Sequence, residues 1–290
     1  MDEAIVVGVD GTDNAARAAE WAARQAIAWE LPLRLVHAMS RPVYERAQLH
    51  QPVPITGEES MRRWVVDMLA ELAERCRAQG AVDVHIDLVS GDPTDVVLRS
   101  AEHSVFAVVG HSDSEGVTRA LPGPTVAHLI ESCPVPVVVV RRPPRDPDGP
   151  VVIGVDGSPI SGRALRFGYE FAARVGAEVL AVHATSGAAV TAAHPVESNA
   201  EEALRYHGGL VGTELADCAR RHPQVTSEFD VIVDAPVDAL LAAADNARLL
   251  VVGSHGKGLV RRALLGSVSH AVVDLAPCPV AVLPPHAAVA

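Results

Sequence analysis

Apolar positions along this chain fall into short, almost unbroken runs. In the first half these are IVVGV (5–9), LRLVHA (33–38), VHIDLV (84–89), FAVVG (106–110) and VPVVVV (135–140). In the second half they are VVIGV (151–155), EVLAVHA (178–184), EFDVIV (228–233), LLVVG (249–253) and PVAVL (279–283). Each has strand length, and strands apolar on both faces belong to a parallel sheet covered by helices on either side. The intervening segments predict helices over about 13–29, 59–79, 93–102 and 124–132, then over 159–175, 198–221, 236–245 and 267–275. Leu165, Gly168, Phe171, Ala172 and Val175 recur at helical spacing and predict one buried stripe. Alanines dominate 13–29 instead, which predicts close packing of that helix on the sheet. Right-handed crossovers then favour doubly wound, Rossmann-like α/β domains.

The pattern occurs twice. IVVGVDGT (5–12) returns as VVIGVDGS (151–158), and VHA (36–38) returns at 182–184. DLVSGDPTDVVL (87–98) answers DVIVDAPVDALL (230–241), and FAVVG answers LLVVG. The chain is therefore a tandem repeat of a unit of about 145 residues, a common single-domain size. The polar, proline-rich RRPPRDPDGP (141–150) marks the junction, giving domains 1–142 and 151–290.

A formal net charge of −12 argues against a nucleic-acid partner or an anionic membrane surface. The start MDEAIVVGVDGT lacks a basic, cleavable leader and the apolar runs are too short to span a bilayer, so an intracellular protein is expected. Cys76, Cys133, Cys218 and Cys278 lie far apart without zinc-ligand spacing and are expected to be free, structural thiols.

The chemistry concentrates in loops that follow the first and fourth strands of each repeat. Ligands of doubly wound folds bind at the carboxyl ends of strands, and these loops share one crevice if strands 1 and 4 are neighbours. In the second copy, Gly253 and Gly256 permit a tight turn with exposed backbone N–H groups. Nine residues later, Gly266 and Ser267 open a helix whose amides can face an anion. Ser267 can also donate a hydroxyl to a phosphate or cap the helix. Lys257, Arg261 and Arg262 add positive charge within an acidic chain, so the loop reads as a clasp for phosphates. It is neither a GxxxxGK[ST] nor a GxGxxG loop. Asp156, at the end of the first strand before Gly157, suits a ribose hydroxyl or a divalent cation beside phosphates. Its alternative use is to fix the turn while Ser158 caps the following helix, and the two uses are compatible.

These residues resemble the universal stress protein family, in particular its tandem-domain, ATP-binding members. The resemblance covers essentially the whole chain, and the signature G-x2-G-x9-G-[ST] is matched by Gly253, Gly256, Gly266 and Ser267. It implies a five-stranded sheet in each domain, ordered 3-2-1-4-5, with the domains paired through their last strands. It also implies an ATP site, with Mg2+, in which Asp156 lies near the nucleotide and the backbone near Val182 or His183 contacts adenine. Asp10 and Val36, with His37, are the first-copy matches. The resemblance further implies a cytoplasmic stress-response or dormancy protein that forms a homodimer of tandem chains; an unknown regulatory protein partner that reads the nucleotide-bound conformation is expected.

The first copy of the loop departs from the signature. Gly110 and Gly123 are kept, but Asp113 stands where the second copy has Gly256, and Pro124 where it has Ser267. A carboxylate there repels phosphates, and proline offers no N–H. Lys257 and Arg261 align with Ser114 and Thr118, leaving Arg119 opposite Arg262. Weak or absent nucleotide binding is expected in the first domain. Histidines 37, 111, 183 and 255 fall at strand ends or crevice loops, yet no nucleophile is paired with a base, so dedicated catalysis is not expected. Slow ATP hydrolysis and a nucleotide-independent interaction scaffold remain the alternatives. Tyr44, in a segment after the second strand that differs between copies, is a candidate to cover a base or a neighbouring subunit.

Overall fold

A computed structural model describes residues 3–39, 55–81, 83–111, 124–185, 200–256 and 266–287. The first domain runs β1 (Ala4–Gly8), α1 (Asp13–Trp29), β2 (Leu33–Met39), α2 (Ile55–Ala78), β3 (Val84–Ser90), α3 (Pro93–Ala101), β4 (Ser104–Gly110), α4 (Pro124–Ser132) and β5 (Val137–Val140). The second repeats it as β6 (Val151–Gly154), α5 (Pro159–Val175), β7 (Val179–Thr185), α6 (Ala200–Arg221), β8 (Ser227–Val233), α7 (Pro236–Ala243), β9 (Leu249–Gly253), α8 (Ser267–Leu275) and β10 (Val280–Leu283), with a short 3-10 turn at Ala244–Asn246.

All ten strands form one sheet in the order β3-β2-β1-β4-β5-β10-β9-β6-β7-β8. Each half is thus parallel and ordered 3-2-1-4-5. The halves join antiparallel, with Val139 opposite Val280 and Val137 opposite Val282. This seam removes the edge that β5 and β10 would otherwise expose. Strand 1 of each unit lies beside strand 4, β1 with β4 and β6 with β9, which places the carboxyl ends of those strands side by side as expected.

Local sequence accounts for the helix starts. Thr12 and Ser158 are the N-caps of α1 and α5, their hydroxyls accepting from Ala15 N and Ser161 N. Ahead of each cap, Gly11 and Gly157 take φ of 88° and 73°, a left-handed conformation that strains any other L-residue. Alanines 15, 18, 19, 22, 23 and 26 bury the sheet-facing side of α1. On α5, Gly168 allows the backbone to settle on Ile153, where a Cβ would lie only 2.3 Å from Ile153 Cδ1.

Both faces of the sheet carry cores that cross the domain boundary. On the α1/α5 face, Trp21, Trp29 and Phe106 of the first domain pack with Phe167 and Phe171 of the second. The Trp21 and Phe171 rings are stacked, 6.1 Å apart at 6°. Arg174 places its guanidinium 5.3 Å from the Trp29 ring. On the other face, Val126, Leu129 and Ile130 of α4 belong to the same core as Val272 and Val273 of α8.

The proline-rich junction is held in place. Arg145 pairs with Asp245, and Arg248 donates from Nε to Gly149 O at 3.0 Å. All four cysteines are buried and free. Burial pushes the Cys133 thiol up to about 11 and Cys278 to about 12. Among the described residues no helix is long and apolar enough to cross a membrane.

Candidate functional site

A cleft of about 520 Å³ opens at the carboxyl ends of β6, β7 and β9. Strand 1 ends there as Val155-Asp156. The Oδ1 of Asp156 accepts the Ser158 N–H at 2.9 Å, closing the turn that leads into α5. The same carboxylate faces Gly256, because a Cβ on Gly256 would lie 2.6 Å from Asp156 Oδ2. One carboxylate oxygen thus fixes the turn, and the residue also lines the cleft.

The loop after β9 is pinned at both described ends. Ser254 is fully buried, its N–H donating to Leu283 O and its carbonyl accepting the Gly266 N–H at 2.8 Å. The Ser269 hydroxyl reaches the same carbonyl at 2.8 Å and Gly266 O at 2.9 Å. This cross-link brings Gly253-Ser-His-Gly256 against the start of α8. Gly253 packs under α5, where a Cβ would lie 2.4 Å from Ile160 Cγ2. Gly266 is the N-cap of α8 and supplies no side-chain hydrogen bond, so Ser267 is the first helical residue and not the cap. The N-cap thus lends no side chain to the first amides of the helix, at an end that carries partial positive charge.

Of the residues singled out in the second domain, Asp156, Val182, Gly253, Gly256, Gly266 and Ser267 line this cleft. Gly157 shapes the adjoining turn. His183 is directed elsewhere: it is buried, and its Nδ1 lies 2.7 Å from Val155 O. The residue beside Val182 on the wall is Ala184. Val182 gives its carbonyl to Val155 N, and the β6–β7 register ends at Gly154 opposite Val182. Ala184 repeats the orientation of Val182 two residues on, past the last ladder pair. Lys257, Arg261 and Arg262 lie outside the described residues.

Pro236, Leu240 and Val252 complete an apolar wall, with Ser161, Val268 and Ser269 nearby. Ala184 was legible from the period-two alternation of a strand containing Val182. Pro236 and Leu240 carry no motif. Ser269 and Ser254, fifteen residues apart, meet only because the loop closes.

The first crevice differs in detail. Asp10 is exposed, and its Oδ1 receives both the Thr12 N–H at 3.0 Å and the Thr12 hydroxyl at 2.6 Å. The Trp64 ring lies over Gly11, reaching within 3.4 Å of the place a Cβ would take. Val36 gives its carbonyl to Val9 N and packs with Val6 and Val96. Gly110 is forced by packing, since a Cβ there would come within 2.7 Å of Ala15 N. His37 repeats His183, with Nδ1 2.7 Å from Val9 O. Tyr44, Asp113, Ser114, Thr118, Arg119 and Gly123 lie outside the described residues, and Pro124 begins α4.

The sequence profile of the universal stress protein family matches residues 1–141 and 149–284. The chain is 31% identical over 285 residues to universal stress protein Rv2005c of Mycobacterium tuberculosis, covering 96% of each chain. It is 30% identical over 300 residues to Rv1996 of the same organism, covering 96% of this chain and 94% of that one. A universal stress protein structure from Archaeoglobus fulgidus superposes with a TM-score of 0.71 at 20% identity, over 97% of this chain and 98% of that one, and so shares the fold. With the family matched over both repeats and relatives of 30–31% identity sharing 96% of this chain, the chain belongs to the universal stress protein family.

Proposed function

We propose that the chain is an ATP-binding regulatory protein of a stress or dormancy response, with its competent nucleotide site in the second domain and weak or absent binding in the first. The observation that carries this reading is the convergence, in one cleft, of Asp156, Gly253, Gly256 and the uncapped start of α8 at Gly266-Ser267. Anions are favoured at such a helix end, and the apolar wall of Val182, Pro236, Leu240 and Val252 suits the flat face of a base. In this reading the polyphosphate lies against Gly256, Gly266 and Ser267, with Lys257 and Arg261 as its counter-charges. The adenine is held by the backbone of β7 at Val182 and Ala184.

A divalent cation fits the site only in company with the nucleotide. Asp156 is a single carboxylate whose Oδ1 also accepts the Ser158 N–H, and no group of three or more His, Cys, Asp or Glu side chains gathers among the described residues. Mg2+ commonly takes one or two carboxylates together with phosphate oxygens. Asp156 would supply the protein ligand, and the ion would neutralise phosphate charge beside it.

Denaturing the purified protein and identifying released nucleotide by mass spectrometry, followed by titration of the emptied full-length chain with Mg-ATP, tests the proposal. Recovery of ATP, one strong site per chain, and loss of that site in Asp156→Ala with the fold retained are expected. A clean protein that takes up no added ATP overturns it.

The first domain favours a second reading for its own half, that of a protein-interaction scaffold. Met61 and Trp64 are 58% and 55% exposed on one face of α2, beside the turn that Asp10 and Thr12 already close. Exposed large apolar side chains of this kind suit a protein contact better than a phosphate.

A further inference from the structure

The first residue of the altered loop, His111, is 1% exposed, and its Nε2 lies 3.0 Å from Asp274 Oδ1 in the other domain. Asp274 sits in the last turn of α8. From the first domain Arg141 also reaches it, donating from Nη1 to the Asp274 carbonyl at 2.6 Å. One turn earlier on α8, His270 places Nδ1 3.5 Å from Asp274 Oδ2. The contact brings together charged and titratable groups from three elements: His111 after β4, Arg141 after β5, and His270 and Asp274 on α8.

The opposite end of α8 is a wall of the cleft, where Gly266, Ser267, Val268 and Ser269 line it. Nine residues separate the ends, about 13 Å of helix, too short to bend appreciably. The counterpart of His111 in the second copy is Ser254, whose carbonyl ties its own loop to Gly266 and Ser269. The first copy places an imidazole at the same position, and that ring bonds the helix that opens the neighbouring crevice.

We propose that His111 is a positioning residue for the crevice of the second domain: through its hydrogen bond to Asp274 it fixes α8, and with it the helix start that lines the cleft. A hydrogen bond to an ionised carboxylate is charge-assisted and stronger than one between neutral groups. The contact is almost closed to solvent, so salt screens it little.

The identity of the ligand rests on the nucleotide reading, whereas the positioning does not. Full-length wild type, His111→Ala, His111→Gln and Asp274→Ala are compared by amide hydrogen exchange at Gly266 and His270, whose N–H groups donate to Ser254 O and Gly266 O, and by Mg-ATP titration. His111→Ala is expected to lose protection at both amides and to bind ATP about fivefold more weakly. His111→Gln keeps an N–H donor and is expected to regain both. Protection at Gly266 and His270 equal to wild type in His111→Ala overturns the proposal. Absence of ATP binding by wild type refutes the nucleotide reading, and the exchange comparison still decides the positioning. Should His111→Ala fail to fold, Asp274→Ala makes the same comparison.

Discussion

Gly256 rests directly against the carboxylate of Asp156, leaving no room for a Cβ, which would lie 2.6 Å from Asp156 Oδ2. The second glycine of the loop thus has a reason beyond turn geometry: it lets the end of β6 and the loop after β9 close on each other. The contact is with the tip of a side chain, so it yields by moving the carboxylate. Gly256→Ala is expected to weaken Mg-ATP binding tenfold or more, about 1.4 kcal/mol, while stability changes by less than about 1 kcal/mol. Calorimetric titration alongside urea unfolding checks both.

Gly253 should respond the other way. Its Cβ would lie 2.4 Å from Ile160 Cγ2, on the packed side of α5. Overpacking of this kind costs about 1–3 kcal/mol. Gly253→Ala is therefore expected to lower the urea midpoint clearly, and a variant as stable as wild type would show that α5 shifts freely.

Removing an aromatic ring at the domain junction tests whether the tandem chain unfolds as one body. Phe171 is 1% exposed and packs against Trp21 and Trp29 of the other domain. Phe171→Ala is expected to cost about 3–5 kcal/mol. The loss should fall on a single transition, seen at the same denaturant concentration by tryptophan fluorescence and far-ultraviolet circular dichroism. Two separated transitions would mean that the shared cores do not couple the halves.

Much of this architecture was legible in the sequence, for identifiable reasons. Helices at 13–29, 124–132, 159–175 and 267–275 have the expected bounds: Thr12 and Ser158 cap the first and third, Pro124 and Pro159 open the second and third, and Gly266 precedes the fourth. The wall of the cleft was readable at Asp156, Gly253, Gly256, Gly266 and Ser267 because the repeat isolates those loops. The resemblance left Val182 and His183 as equals, and the strand separates them by turning the His183 ring onto Val155 O. No local pattern predicts that Trp21 meets Phe171, or that His111 meets Asp274. Both contacts depend on how the antiparallel seam brings distant segments together.

The cysteines give a prediction about reactivity. Desolvation by burial pushes the thiol of Cys76 to about 11, Cys133 to about 11 and Cys278 to about 12, against a usual value near 8.5. The thiolate is the reactive form, so a raised value leaves almost none of it at pH 8. Iodoacetamide at pH 8 is expected to leave Cys133 and Cys278 unmodified in the native protein and to alkylate both after unfolding. The sign for stability follows: above about pH 9 the unfolded thiols ionise while the folded ones stay protonated, so stability falls as pH rises. Cys133→Ala and Cys278→Ala should each flatten that alkaline decline.

Ser269 offers the sharpest separation of loop closure from direct ligand contact. Its hydroxyl lies 2.8 Å from Ser254 O and 2.9 Å from Gly266 O, and the residue is 2% exposed. Ser269→Ala removes the donor, while the Ser254 carbonyl still accepts the Gly266 N–H at 2.8 Å. No buried acceptor is stranded at Ser254, so the cost to the fold is expected near 1 kcal/mol. The start of α8, however, then hangs from one hydrogen bond to Ser254 instead of two. Mg-ATP affinity is expected to fall about threefold to tenfold, through faster dissociation, because the amides of α8 are no longer held at a fixed distance from Gly256. Stopped-flow displacement of a fluorescent ATP analogue measures that rate. An unchanged dissociation rate in a variant that binds normally would show that the backbone bond alone fixes the loop.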